Sequence, residues 1–274
     1  MTRRRPAAKH ACLDRDVEAL PLFRLSDSAD DPPVDFTTDE GGRWRVLPNP
    51  GDRLPGTFDQ DVYVELMRRY QEADTPADGI LAFTLHAFLR SLGRKVDGRT
   101  YEQLRGALGR LERTVLESDG AWHDAEGHAG PARFTLLSSV TIDRRRQSDV
   151  DQLALFPALA SNEPGEARVI VAPQLRATLA AGRSTTVVVS RYLALSSPVA
   201  RRLYRLLEAQ GVAPGQPWEV ALERLAERLP LTQRYPSHLQ RVLQPAHEML
   251  LAAGLAKRIE MTQAGRQWLV RYER

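Results

Sequence analysis

Cysteine is almost missing from this chain of 274 residues: Cys12 stands alone, which excludes internal disulfides and thiolate-built zinc sites and fits a reducing compartment. Lysine is nearly as scarce. Lys9, Lys95 and Lys257 are the three present, so arginine supplies almost all of the 38 basic residues. No apolar run approaches the ~20 residues that span a bilayer. The opening MTRRRPAAKHACLDRD is basic but has neither the apolar core nor the small-residue cleavage site of a secretory signal. A cytoplasmic protein without membrane contact is therefore expected. The catalytic patterns are missing too: no GxxxxGK[ST] to cradle phosphates, no GxSxG, no HExxH. His123, Asp124 and His128 could clasp a metal, but they sit in a glycine-rich turn where polar residues are the default, and no metal site is assigned. Asp59 and Asp61 read better as helix caps than as a nuclease carboxylate pair. Neither an enzyme nor a cofactor is expected.

What the chain does have is enough apolar material for real cores, at 42% hydrophobic and 27% charged. Its length suits one large domain or two ordinary ones. The formal charge of +3 is unevenly spread. Residues 14–40 hold nine acids against Arg15 and Arg24, a local charge of −7, whereas the chain from Gly165 onward carries +8. Residues 1–40, with SDSADDPPVD inside them, read as a disordered acidic leader with too little apolar surface to offset chain entropy. Arginine is the side chain best shaped for bidentate phosphate and guanine contacts, although a GC-rich genome also enriches it.

The periodicity predicts an α+β protein built of two similar units. After a short strand at 43–47, a helix capped by Asp59 or Asp61 runs to about Tyr70, a strand follows at 79–83, and Thr84 caps a second helix. Thr100 caps a third helix over 101–118, with Leu104, Leu108, Leu111 and Val115 in one stripe, and strands at 120–124 and 133–142 form a hairpin. Three helices and a hairpin are the order of a winged helix, whose third helix enters the major groove while the hairpin touches flanking backbone. A second unit repeats this order. Strands at 168–171 and 185–192 enclose a short helix from Pro173; Ser197 caps a helix with Pro198 at its first position; a second helix begins at Pro217 and Trp218; a third runs from Arg234 with Leu239, Val242 or Leu243, Ala246, and Met249 or Leu250 inward; and a hairpin turns at Ala264 and Gly265. Pro245 interrupts the last helix, either bending one helix or starting another. The expected division is a leader at 1–40, a first winged helix at 41–148, a linker at 149–166 and a second winged helix at 167–274.

At several of these segments the residues become recognisable. TYEQLRGALGRLERT at 100–114 resembles the third-helix segment of plasmid replication initiator proteins of the replication initiator protein A type. LSSPVARRLYRLL at 195–207 and RVLQPAHEML at 241–250 look like the same family's second-domain signatures, and WRVLP at 44–48 and FDQDVY at 58–63 fit as well. The resemblance runs in family order over about 43–274 and excludes the leader. It implies tandem winged helices that bind direct repeats of double-stranded origin DNA, help open the duplex and recruit replication machinery such as a helicase or its loader. It also implies a monomer–dimer equilibrium.

Recognition-helix geometry nominates the DNA-reading residues. In the second unit they are Arg234, Tyr235, Ser237, His238, Gln240 and Arg241; in the first, Arg99, Tyr101, Gln103, Arg105 and Arg110. Wing candidates are Arg133, Arg144, Arg145 and Arg146, then Lys257, Arg258 and Arg266. Between the units, Gln152, Leu153, Leu155 and Phe156 resemble the short peptide by which bacterial proteins dock on the replicative sliding clamp, set against a buried linker strand. Two rival functions use the same fold: a transcriptional regulator, and a protein-interaction scaffold that does not bind DNA.

Overall fold

The computed structural model describes residues 9–25, 33–142, 166–233, 235–265 and 267–274. Its elements begin with β1 (His10–Asp14), α1 (Arg15–Ala19), β2 (Val34–Thr37) and β3 (Arg43–Leu47). There follow α2 (Thr57–Glu72), β4 (Ile80–Thr84), α3 (Leu85–Ser91), α4 (Gly98–Arg113), β5 (Val115–Asp119), β6 (Pro131–Phe134), β7 (Leu137–Ile142) and β8 (Glu166–Val171). The rest comprises α5 (Pro173–Ala180), β9 (Ser184–Val188), α6 (Val189–Ala194), α7 (Pro198–Ala209), β10 (Trp218–Ala221), α8 (Leu222–Arg228), α9 (Pro236–Ala252), β11 (Arg258–Ala264) and β12 (Gln267–Glu273). This is a mixed helix-and-sheet architecture.

One succession occurs twice. Helix, strand, two helices and two strands appear as α2-β4-α3-α4-β7-β8, with β5 and β6 inserted, and again as α7-β10-α8-α9-β11-β12. The two sheets share an order, β4-β8-β7 and β10-β12-β11, so the last strand lies in the middle of each. Alternation sets their inner faces: Leu81 and Phe83 on β4 and Ala167, Val169 and Val171 on β8 are buried, while Ala82 and Arg168 face out. The Thr84 hydroxyl accepts from the Ala87 N–H at 3.1 Å and so starts α3, and Ser197 caps α7 in the same way, with Pro198 at the first helical position.

Two further sheets join the chain's distant parts. β2, β3, β5 and β6 form a four-stranded sheet in that order, and β1 pairs antiparallel with β9 from His10↔Val188 to Asp14↔Ser184. Gly42 allows the first of these sheets to close. A Cβ there would lie 2.4 Å from the Gly120 carbonyl oxygen, so no side chain fits. Trp44 on β3 is fully buried and donates its indole N–H to the Pro21 carbonyl at 2.8 Å.

Several expectations are corrected. The leader is folded over 9–25 and 33–40: Leu13, Val17, Leu20, Leu22 and Phe23 enter the core, and Val34 and Phe36 cover the four-stranded sheet. Among the described residues, Asp14, Asp16, Glu18 and Asp39 have partners far away in sequence. Asp14 caps α1 by accepting from the Val17 N–H at 2.9 Å, and Glu18 meets Arg205. The third helix of the first unit spans 98–113, and the strand after it pairs with β3 and β6. Arg168–Val171, expected to open the second unit, pairs with β4 and β7, so the stretch expected as a linker stands between neighbouring strands of one sheet. Residues 218–221 are β10, with the helix starting at Leu222, and the strand expected to run to Tyr192 ends at Val188, where the helix Val189–Ala194 takes over. Pro245 lies inside a single helix, α9.

Candidate nucleic-acid interface

The first turn of α4 is fixed by reciprocal capping. The Asp97 carboxylate accepts from the Thr100 N–H, and the Thr100 hydroxyl accepts from the Asp97 N–H, each at 3.0 Å. Sequence reading placed the cap at Thr100; the cap is Asp97, with Thr100 as its return partner. Leu104, Ala107, Leu108 and Leu111 then turn inward, and Arg99 and Gln103 stand in solvent. Among the described residues Arg99 has no hydrogen-bonding or ionic partner, so its guanidinium is available. Tyr101 is half-buried with its hydroxyl 3.5 Å from His86 Nδ1, and Arg105 pairs with Glu102 at 2.6 Å.

Two of the first unit's nominated residues are placed elsewhere. Arg110 lays a two-pronged fork on Asp59, Nη2 to Oδ1 at 2.8 Å and Nε to Oδ2 at 3.1 Å, and Asp59 is 1% exposed. That arginine ties α4 to α2. Arg133 sits on β6, in the four-stranded sheet and not on the strands beside α4, where it meets Glu117 at 3.5 Å. Asp59 does act at the start of α2, accepting from the Gly56 N–H at 2.6 Å.

In the second succession, α9 begins at Pro236 and turns Leu239, Leu243, Ala246 and His247 inward. Tyr235 (69% exposed), Ser237, His238 and Arg241 point out, with Gln240 half-buried. The Tyr235 and His238 rings meet edge-on at 5.7 Å. Arg241 has no partner among the described residues. Pro245 is exposed on the same outer side of the helix. Lys257 stands exposed just before β11, whereas Arg258 is engaged by Glu260. Arg144, Arg145, Arg146, Arg234, Arg266 and the segment Gln152, Leu153, Leu155 and Phe156 lie outside the described residues.

Histidine chemistry does not converge here. His247 is buried against the Tyr272 hydroxyl at 2.9 Å, and burial pushes its pKa down to about 4. His123 is held by Asp16 at 2.8 Å. Asp124, Glu126 and His128 gather their donor atoms within 4.8 Å of one another, but that turn is already organised by the Asp124 carboxylate, which accepts from the His128 N–H at 2.8 Å.

Sequence reading missed the joint between the two halves. Asp61, 2% exposed, accepts from Tyr192 at 2.8 Å, Arg201 at 2.6 Å and Arg94 at 3.1 Å. The available signal was a second aspartate, two residues after Asp59 and five after the N-cap Gly56, too far into α2 to cap it.

The family model described as Replication initiator protein A matches residues 13–249. The chain belongs to this replication initiator family. The match starts inside β1, consistent with a folded N-terminal segment. A protein of Wigglesworthia glossinidia brevipalpis, named provisionally as a replication protein, is 31% identical over 72 residues; the chain spans about a quarter of that relative's length, at 26%. Among solved structures, domains 2 and 3 of RctB align with a TM-score of 0.56 at 11% identity, covering 94% of this initiator and 96% of that chain. A second RctB structure of the same domains gives 0.51, again at 11% identity. At that identity the likeness is one of fold. The Pi initiator protein, solved in complex with iteron DNA, aligns more weakly, at 0.42 and 14% identity, too weak a likeness to carry fold or function. No helix among the described residues is long and apolar enough to cross a membrane.

Proposed function

We propose that this initiator binds duplex DNA at the direct repeats of a plasmid-type origin, helps open the duplex and recruits replication proteins, without catalysis of its own. On this reading each repeated succession is a winged helix, and α4 and α9 are its groove-facing helices. One observation carries the proposal. Both helices follow the same two predecessors, β4-α3 and β10-α8, and each presents an exposed arginine with no partner among the described residues within its first two turns, Arg99 and Arg241. The groove set is Arg99, Tyr101, Gln103 and Arg105 with Tyr235, Ser237, His238, Gln240 and Arg241; Lys257 and Arg258 flank the second helix. The recruited machinery includes the sliding clamp, docking on Gln152 to Phe156, and the initiator exchanges between monomer and dimer in the cytoplasm.

Footprinting the purified chain on DNA flanking its own gene tests the reading. Protection of several direct repeats is expected. One protected inverted repeat favours a transcriptional regulator, and salt-independent association with no footprint favours a protein scaffold.

A further inference from the structure

Between the two repeated successions lies a cleft of about 750 Å³ that none of the nominated DNA contacts touches. Its walls are the end of α3 with the turn after it, the start of α2, and the turn joining α6 to α7. Three guanidiniums line it, those of Arg90, Arg94 and Arg201, against the single carboxylate of Asp61. The imbalance leaves the cleft with a surplus of two positive charges.

The arginines have different tasks. Arg201 is spent on the frame: Nη1 reaches Asp61 at 2.6 Å, and Nε reaches the Leu195 carbonyl at 2.7 Å. Arg94 commits Nη2 to Asp61, lies 5.4 Å from the centre of the Phe58 ring, and keeps its side chain 46% exposed. Nε and Nη1 of Arg94 have no partner among the described residues. Arg90 is exposed, and none of its donors has one either. Two guanidiniums with unused donors, one held in place by a buried carboxylate, make a receptor for an oxyanion. Among the described residues the lining holds no aromatic ring on which a base could stack, which favours a phosphate group over a whole nucleotide as the ligand.

We propose that this cleft seats a backbone phosphate of the duplex where the two halves meet. The inference rests on the DNA-binding reading above. Arg94 lies in the short turn between α3 and α4, five residues before Arg99, so a duplex engaged by the first turn of α4 runs past the cleft mouth. The opposite wall belongs to the second succession. A phosphate held there is gripped by Arg90 and Arg94 of the first half while it lies against the wall of the second, and so sets the distance between their groove-facing helices. Asp61 is a positioning residue in this arrangement: it touches no ligand and orients the guanidinium of Arg94, with Arg201 on its other side.

The test uses the full chain and a random-sequence duplex of about three helical turns, with binding followed by fluorescence anisotropy from ~50 to ~200 mM salt. Arg90→Ala removes a side chain with no partner among the described residues, so it leaves the fold intact; it is expected to weaken binding roughly three- to tenfold and to make the salt slope shallower by about one. Arg90→Ala with Arg94→Ala is expected to flatten the slope by up to about two, and Arg94→Lys to restore most of that loss, because a point charge still attracts phosphate. Wild-type binding that weakens with salt, with Arg90→Ala and the double variant showing the same affinity and slope, overturns the cleft assignment alone. Absence of salt-dependent DNA binding by the wild-type chain overturns the DNA reading, and the cleft assignment with it. A third arm adds inorganic phosphate. If phosphate raises the melting temperature of the wild type but not of the double variant, while the DNA slope stays the same in both, the cleft takes a free anion and the duplex assignment fails.

Discussion

Arg205 on α7 donates Nη1 to the Glu18 carboxylate at 2.9 Å, and the two side chains, separated by 187 positions in sequence, are 0% and 1% exposed. Arg202, beside it, donates to the Glu18 and Leu20 backbone carbonyls at 2.8 and 2.9 Å, and Arg205 also reaches Gln60 at 3.0 Å. The N-terminal acidic segment is thus threaded between the two halves. A charge buried this deeply is tolerable only while its partner is present. Glu18→Ala, which strands two arginines, is expected to cost about 3–5 kcal/mol in urea denaturation. Adding Arg205→Met to Glu18→Ala should recover part of the loss, since removing both partners costs less than removing one.

The same contacts reverse the expectation attached to an acidic tail. A plain tail could be cut away to unmask a basic surface. Deleting residues 1–25 here removes Leu13, Val17, Leu20, Leu22 and Phe23 from the core along with Glu18. With these five buried side chains contributing about 1.5–3 kcal/mol each, the loss of about 7.5–15 kcal/mol is comparable to the 5–15 kcal/mol that usually holds a protein folded. The truncated chain is expected to lose its near-UV circular dichroism and its cooperative unfolding transition. A truncated chain that melts cooperatively near the full-length temperature would show that this segment is dispensable.

Two buried groups titrate in the same window with opposite signs. Burial, outweighing the hydrogen bonds from Thr178 and Val17, pushes Asp14 up to about 6 from an ordinary 3.8. Its proton is held more tightly in the folded chain, so the stability it contributes is complete below the unfolded pKa and is lost as pH rises through 6. His247 goes the other way, from 6.5 down to about 4, so its contribution is complete above 6.5 and is lost as pH falls through 4. Each shift corresponds to on the order of 3 kcal/mol, and the two slopes oppose each other. Single variants separate them. Between about pH 4 and pH 6, Asp14→Asn should become more stable with rising pH relative to wild type, and His247→Gln less so. Urea midpoints across that range, read as differences from wild type, check both signs.

How far the sequence could be read depended on whether a signal was local. Caps at Thr84 and Ser197, the inward stripe of α9 and the mixed helix-and-sheet class all follow from spacing within a few residues, and the structure agrees with each. The leader failed because a net charge of −7 averages away pairings such as Glu18 with Arg205, which no local window contains. The pairing of β8 with β4 and β7 failed for a similar reason, since a short apolar run does not say which sheet it joins. At the candidate interface, an outward-facing residue on a predicted helix was legible by phase, as with Arg241, whereas Arg99 stood before the predicted start of its helix and lies within it. Arg110 was not legible, because its fate is decided by an aspartate on another helix. The cleft residues Arg90, Arg94 and Arg201 carry no motif, and tertiary packing alone brings them together.

Arg99 and Arg110 lie on one helix and should separate binding from stability. Arg110→Ala breaks the fork on a buried aspartate and is expected to lower stability by about 3 kcal/mol, with the salt slope of DNA binding kept in the fraction that folds. Arg99→Ala removes a solvated side chain. Its unfolding midpoint should stay within about 0.5 kcal/mol of wild type while DNA binding weakens by about 1–3 kcal/mol. Equal loss of binding in both variants, after correction for folding, would return Arg110 to the interface.

Pro245 offers the last separation. It lies inside α9, brings no N–H to the helix, and so leaves the Arg241 carbonyl without its usual partner one turn on. Because the ring is exposed, alanine fits there without strain. Pro245→Ala gains a helical hydrogen bond and better helix propensity, offset in part by a freer unfolded chain, for a net gain of about 1–2 kcal/mol and a melting temperature a few degrees higher. The residues proposed to meet DNA, Tyr235, Ser237, His238 and Arg241, all precede the proline, whereas Ala246, His247 and Leu250 beyond it are packed in the core. Proline favours a bend away from its own ring, so its removal is expected to change the aim of the first half relative to the anchored second half. A more stable chain with several-fold weaker affinity for its origin repeats, and unchanged affinity for random duplex, is the expected pair of results; a gain in stability with both affinities unchanged assigns the proline no part in aiming the helix.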